Sequence, residues 1–209
     1  MGAKPSIIDN IIAVTDDEIL DHFRKTNALL DGHFVLSSGL HSPTYLQCAL
    51  ALQRPADADR FARELVNRMA LERTIAGVET VASPAIGGLV IGFAVAQAIG
   101  VRFIWTERQN GEMTLRRGFS VRKGEKIVVV EDVITTGGST RECMTALQHN
   151  GADIIAAASI VDRSGGKADL GVPRSSLVTL EVPTYEPANC PLCTAGQIVV
   201  KPGSRSPAT

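Results

Sequence analysis

The chain has 209 residues, of which 44% are hydrophobic and 21% charged, and a formal net charge of -1. That length holds one well-buried core with at most a small appended lobe. The balanced charge excludes a general attraction to nucleic acid or to an anionic membrane surface, so any anionic ligand must be held by a local arrangement.

Taken in chain order, Met1-Gly2-Ala3-Lys4-Pro5-Ser6 fits a loose myristoylation pattern that arises easily by chance, and no signal peptide precedes the first helix. Residues 16–30 are expected as an amphipathic helix, with Ile19, Leu20, Phe23 and Leu30 near helical spacing and Thr15 or Asp16 as cap. Residues 32–47 alternate and suggest a short hairpin lobe. Pro55 starts a second helix reaching about Leu71, with Phe61, Leu65 and Met69 on one face. A strand over 79–83, a turn over 84–88 and a helix to about Ile99 follow. The apolar run 82–99 is interrupted by Pro84, Gly87-Gly88, Gly92 and Gln97, which argues for a buried helix over a membrane span.

Residues 101–106 are the next expected strand, and the polar stretch 107–112 a mobile hairpin or loop. Beyond a strand from Ile127, the pattern predicts a helix from about Gly138 to His149, closed by Gly151. A buried strand over 154–161 ends at Asp162-Arg163, a last strand covers 177–182, a short helix 187–195, and the tail 201–209 is expected to fray. Strands alternating with helices indicate an α/β, doubly wound, mostly parallel sheet, with residues 1–209 as one domain. Neither the dinucleotide fingerprint nor a P-loop is present; Gly166-Lys167 lacks the spaced glycine and the following Ser/Thr.

The four cysteines are Cys48, Cys143, Cys190 and Cys193. They suggest no secreted disulfide framework, and a reducing cytoplasm is the expected compartment. Cys190-Pro-Leu-Cys193 has the spacing of half a zinc site, but no second pair exists and the nearby chain offers no histidine. An inert buried turn or a redox-sensitive pair are the alternatives.

The most informative stretch is Ile127-Val-Val-Val-Glu-Asp-Val-Ile-Thr-Thr-Gly-Gly-Ser-Thr140. An apolar run without alternation suits a central parallel strand covered on both faces. Glu131 and Asp132 fall near its carboxyl end, where open α/β sheets bind ligands. The small, hydroxyl-rich loop that follows opens a helix, an arrangement that holds phosphate. Two acids beside a phosphate cradle must face sugar hydroxyls or a metal. A phosphorylated ribose meets both demands, whereas the plain alternative is a strand end running into a turn.

This order of strand, two acids and Thr/Gly/Ser loop resembles the phosphoribosyl-pyrophosphate signature of the type I phosphoribosyltransferases. Gly32-His-Phe-Val-Leu-Ser-Ser-Gly-Leu-His-Ser-Pro-Thr-Tyr-Leu46 resembles the N-terminal lobe of the orotate phosphoribosyltransferase family, and Ser159-Ile-Val-Asp-Arg163 its late strand. Pro191-Leu-Cys and Val200-Lys-Pro-Gly-Ser-Arg205 resemble the ending of a bacterial branch.

The resemblance implies the type I fold with a hood lobe from about 32–47 and 183–203, and transfer of a phosphoribosyl group from phosphoribosyl pyrophosphate to orotate. Orotidine monophosphate and pyrophosphate would be the products, and pyrimidine biosynthesis the pathway. It places Glu131, Asp132, Val133, Ile134, Thr135, Thr136, Gly137, Gly138 and Ser139 on phosphoribosyl pyrophosphate, and Arg108 on its diphosphate. Glu131, Asp132 and Arg108 would be the catalytic set, and Thr135, Arg163, Tyr45 and Leu46 would meet orotate. Magnesium is implied as cofactor, carried by the substrate and not by protein side chains, and a homodimer is implied by resemblance only. A planar guanidinium suits the orotate carboxylate; the alternative for Arg163 is a surface salt bridge.

The chain departs from family members that carry lysines where Ser37 and Gln109 stand and a tyrosine-lysine pair where Ile86-Gly87 stands. Its 107–112 segment also lacks the lysine and histidine of their mobile loop, losses that a branch with a shorter loop shares. Arg116 and Arg117 could replace the charge, although paired arginines on a hairpin are more often solvated. Two rival readings remain: a purine or other base phosphoribosyltransferase, and a regulator that senses phosphoribosyl pyrophosphate without turnover. Asp162-Arg163 favours an anionic base over a purine.

Overall fold

The structure is a computed structural model and describes residues 14–36 and 38–202. The opening hexapeptide, Ser37 and the tail from residue 203 lie outside the described residues. Helix α1, Asp16–Lys25, starts on a capping box. The Thr15 hydroxyl accepts from the Glu18 amide (3.3 Å), and the Glu18 carboxylate accepts from the Thr15 amide (2.9 Å). Ile19 and Phe23 face the core. The helix stops short of residue 30, because Asn27 turns left-handed (φ 55°) and Leu29–Val35 leaves as strand β1. There Leu30 pairs with Tyr45 of β2, His41–Leu46, in an antiparallel ladder that a longer helix would forfeit.

A short helix α2, Cys48–Ala51, precedes α3, Pro55–Leu71, which buries Phe61, Leu65 and Met69. Then come β3, Thr80–Pro84; α4, Gly88–Ile99; β4, Arg102–Gln109; β5, Glu112–Leu115; β6, Lys126–Ile134; α5, Gly138–His149; β7, Asp153–Asp162; and β8, Arg174–Thr179. The last pieces are a 3-10 turn, Pro187–Asn189, and helix α6, Pro191–Thr194. The expected single helix over 187–195 is thus split, since Pro191 has no N–H to continue the turn. The last strand lies a few residues earlier than expected, in register with β7.

Six strands make the main sheet in the order β5-β4-β3-β6-β7-β8, all parallel except β5. This is the doubly wound sheet that the sequence predicts. β6 is central, and its side chains serve two cores. Val128 and Val130 join α1, α3 and α4 on one face, while Ile127 and Val129 join Cys143, Met144 and Leu147 of α5 on the other. That double burial is why the run shows no alternation.

Of the hairpin or loop expected over 107–112, the structure has the hairpin. β4 runs on to Gln109, and Asn110 and Gly111 (φ 53° and 89°) make a two-residue turn into β5. Positive φ at both positions matches the twist of the flanking strands, and Asn-Gly is the pair that accepts it most easily.

The small β1–β2 sheet is stitched to the end of the chain. His41 and Tyr185 exchange backbone hydrogen bonds (2.8 and 2.9 Å), and Val200 bonds to His33 and Val35 (2.8 and 2.9 Å). No helix among the described residues is long and apolar enough to cross a membrane.

Candidate active site

A cleft of about 1370 Å³ opens beyond the carboxyl ends of the parallel strands, between the main sheet and the stitched hairpin. It is large enough for a sugar diphosphate and a base together. Glu131 and Asp132, in the last third of β6, both line it. Glu131 is 7% exposed and Asp132 part-buried. Their hydrogen bonds are local: Glu131 accepts weakly from the Asp132 amide (3.4 Å), and Asp132 accepts from the Val133 amide (2.8 Å). Among the described residues neither carboxylate is in an ion pair. Burial, and then the charge of Asp132, push the Glu131 carboxyl well above its usual range. Burial also raises Asp132, by more than the hydrogen bonds it accepts lower it.

The opening of α4 explains how the dyad is accommodated. A Cβ on Gly87 would lie 2.7 Å from Asp132 Oδ1, and one on Gly88 would lie 2.8 Å from the Val130 carbonyl oxygen. At 88 the backbone oxygen leaves room for glycine alone, whereas a side chain at 87 would have to displace the Asp132 carboxylate.

After the dyad the chain enters the anion cradle. Val133 is part-buried at the cleft, whereas Ile134 turns its side chain into the second core and contributes backbone. Thr135, Thr136 and Ser139 are exposed. Gly137 is the left-handed N-cap of α5 (φ 75°), and a Cβ there would meet Leu170 at 2.6 Å. No side chain caps α5, so the amides of its first turn, including Gly138 and Ser139, face the cleft with the positive end of the helix dipole behind them.

Arg163 stands on the adjacent strand end, its amide bonded to the Ile134 carbonyl (2.7 Å). Its Nη2 donates to Ser42 Oγ (2.6 Å) and to the Thr44 carbonyl (3.2 Å) of β2. Its Nε is, with Thr106 Oγ1, one of two buried side-chain polar atoms lacking a hydrogen-bond partner among the described residues. Burial lowers its pKa, the mark of a partly desolvated cation. Asp162 beside it is fully engaged, accepting from Arg174 (2.8 Å), the Ser164 amide (2.8 Å) and the Ser164 hydroxyl (2.6 Å). Tyr45 and Leu46 line the same cleft, with the Tyr45 ring 5.7 Å from that of Phe34.

Arg108 also lines the cleft, but from within β4 and not from a loop beyond it. Its guanidinium is ion-paired with Glu142 of α5 and donates to the Gly111 carbonyl (2.9 Å). Arg116 and Arg117 do not line the cleft; both bind Glu107, Arg117 in a fork of 2.7 and 3.1 Å. Arg117, with help from the Trp105 indole, lowers the Glu107 carboxyl to about 2. These arginines brace the hairpin. Sequence reasoning missed Ser42, Glu142 and Lys167, the last a cleft residue ion-paired with Glu181. None carries a local signal, because each reaches the site only through a partner far along the chain.

Comparison with known proteins agrees with this geometry. A family model described as the phosphoribosyl transferase domain matches residues 51–180. The orotate phosphoribosyltransferase of Pelotomaculum thermopropionicum is 51% identical over 192 residues, covering 92% of this chain and 99% of the relative. That of Desulforamulus reducens is 50% identical over 189 residues, covering 90% and 97%. Among solved structures, the orotate phosphoribosyltransferase from Aeropyrum pernix superposes with a TM-score of 0.64 at 27% identity, over 78% of this chain and 94% of that one. Relatives half identical over nearly their whole length, together with the family model, place the chain in the type I phosphoribosyltransferase family, on its orotate phosphoribosyltransferase branch.

Proposed function

We propose that the protein transfers the phosphoribosyl group of phosphoribosyl pyrophosphate to orotate, in a magnesium-dependent step of pyrimidine biosynthesis that yields orotidine monophosphate and pyrophosphate. One observation carries the reading: a single cleft presents an uncapped helix start, an unneutralised acid pair and a guanidinium with a free buried Nε on neighbouring strand ends. The 5-phosphate sits on the amides of residues 135–139. The ribose hydroxyls donate to Glu131 and Asp132. The orotate carboxylate pairs with the Arg163 guanidinium, with Thr135, Tyr45 and Leu46 around the ring.

In the reaction a ring nitrogen of orotate bonds to the anomeric carbon as the bond to pyrophosphate breaks, and the proton that the nitrogen gives up leaves with the pyrophosphate. The sugar becomes cationic on the way, and ionised Glu131 and Asp132 stabilise it there more than in the ground state. Donor hydroxyls favour the ionised acids and oppose the burial that raises both carboxyls. The phosphate and diphosphate oxygens of the substrate suit a hard cation; magnesium carried on them would neutralise the departing pyrophosphate. Arg108 serves the same anion by exchanging Glu142 for it.

A second copy of the chain fits the apolar stripe of Ile86 (82% exposed), Val90 and Phe93 (59% exposed) at helical spacing, and supports a homodimer. All four cysteines are free, which supports a reducing, cytoplasmic setting.

The test offers orotate, adenine, hypoxanthine and uracil separately with magnesium and phosphoribosyl pyrophosphate, and follows pyrophosphate release. Release with orotate alone is expected. Purine-driven release would move the protein to another base, and binding without release would make it a sensor. Sedimentation should give a dimer that Phe93→Asp dissociates.

A further inference from the structure

We propose that His33, His41, Cys190 and Cys193 form a zinc site that fastens the β1–β2 hairpin to the end of the chain. The inference is independent of the reaction. Among the described residues these four are the group of His, Cys and acidic side chains arranged to hold a metal, one ligand atom from each lying within 4.8 Å of the others. His33 Nε2 is 2.8 Å from His41 Nδ1, 3.6 Å from Cys190 Sγ and 3.8 Å from Cys193 Sγ, and Cys193 Sγ is 3.4 Å from His41 Nδ1. A tetrahedral zinc with bonds of about 2.3 Å to sulfur and about 2.0 Å to nitrogen sets ligand atoms roughly 3.3 to 3.8 Å apart. The three nitrogen–sulfur distances already match. The nitrogen–nitrogen distance is short by about half an ångström against that geometry, a gap closed by small ring movements.

Two further features point the same way. His33 Nδ1 lies 3.0 Å from the Gln197 carbonyl oxygen. A carbonyl only accepts, so Nδ1 carries the proton and the Nε2 lone pair is aimed into the cluster, the outer-sphere arrangement that orients metal-bound histidine. His33, His41 and Cys190 are buried, whereas Cys193 is exposed, which leaves a way in for the ion. Two thiolates and two imidazoles select zinc over hard cations.

The rival is a plain hydrogen bond from His41 Nδ1 to His33 Nε2 beside two thiols. It accounts for the 2.8 Å contact. It does not account for both sulfurs converging on the same nitrogens from a Cys-x-x-Cys spacing at the start of α6. The ligands are separated by as many as 160 residues, so binding closes a long loop and contributes directly to folding stability. The parts it joins carry Leu36, Tyr45 and residues 181–184 of the cleft wall.

The experiment uses the untagged full-length chain from zinc-supplemented cells. Elemental analysis should find one zinc per chain, and less than a tenth of that in Cys193→Ser and in Cys190→Ser/Cys193→Ser. Metal-free protein given cobalt(II) should show visible bands of tetrahedral intensity and a thiolate charge-transfer band, both lost in Cys193→Ser. A chelator should lower the thermal midpoint of the parent by roughly 5 °C and leave Cys193→Ser unmoved. Cys193 is exposed, so that variant tests the site even where Cys190→Ser fails to fold. A parent chain without zinc and without the cobalt–thiolate band, or a double variant that keeps its zinc, overturns the proposal.

Discussion

The two ends of β6 hold buried acids of opposite character. Just before the strand, Glu125 is 3% exposed, yet it is saturated with donors: Arg102 Nη2 (2.9 Å), Thr80 Oγ1 (2.5 Å) and the Arg122 amide (2.8 Å). Burial pushes its carboxyl up, but those hydrogen bonds and the two arginine charges outweigh it and hold the group below its usual value. Nine residues on, the strand ends past Glu131 and Asp132, as deeply placed but without a cation. Burial alone therefore does not mark an active site. Burial without compensation is what distinguishes the upper pair, and under the proposed function a ligand supplies the missing partner. The lower acid is matched by its donors; the upper pair is not.

Neutralising the upper acids sharpens this contrast most. Glu131→Gln/Asp132→Asn should lower turnover by about a thousandfold and at the same time raise the thermal midpoint, because the uncompensated charge is gone. A midpoint that falls would mean the dyad is as structural as Glu125, and the contrast would break. At the lower end, Glu125→Ala should cost about 3 kcal/mol in denaturant unfolding by leaving Arg102 and Thr80 without their acceptor, with kcat/KM per folded molecule unchanged.

Next in size is Arg163→Ala, which should raise KM for orotate roughly thirtyfold, about 2 kcal/mol for a charge-assisted pair, while KM for phosphoribosyl pyrophosphate stays put. Arg163→Lys should restore little, since a point charge cannot replace the fork. Equal losses for both substrates would reduce Arg163 to a strut for Ser42 and Thr44.

The smallest effect is in the pH dependence of ligand-free stability, where the two ends of β6 contribute with opposite signs. Glu131, raised in the fold, adds stability that is full below the usual glutamate value of 4.5 and is lost as pH climbs through its folded value. Glu125, lowered in the fold, adds stability that is present above 4.5 and is lost as pH falls through its folded value. Melting curves across this range should show the first decline shrink in the dyad variant and the second shrink in Glu125→Ala, Glu107 and the other lowered carboxyls keeping the remainder.

How much was legible follows from chain distance. The acids and the loop after them are contiguous, so strand, dyad and helix start could be read as one unit, and the structure brings them to one cleft. Helix α1 was overrun because Leu30 keeps helical spacing, and only its pairing with Tyr45 claims it for β1. Polarity over 107–112 leaves hairpin and loop both open, and the β4–β5 ladder across Asn110-Gly111 selects the hairpin. Cys190 and Cys193 seemed half a site because histidines were sought nearby, while His33 and His41 arrive through the opposite end of the chain.

By itself the sequence determined the doubly wound sheet, since apolar runs and helical periodicity act over a few residues and each must bury its own face. It likewise determined the acid-and-loop unit, whose parts are covalent neighbours. Only the tertiary structure decided which charges are neutralised: Arg102 on Glu125, Glu142 on Arg108, Glu107 on Arg116 and Arg117, and none on Glu131 or Asp132 among the described residues. A carboxylate's partner is whichever cation packing brings within a few ångströms, and Coulomb attraction depends on that distance and on the surrounding dielectric, not on separation along the chain.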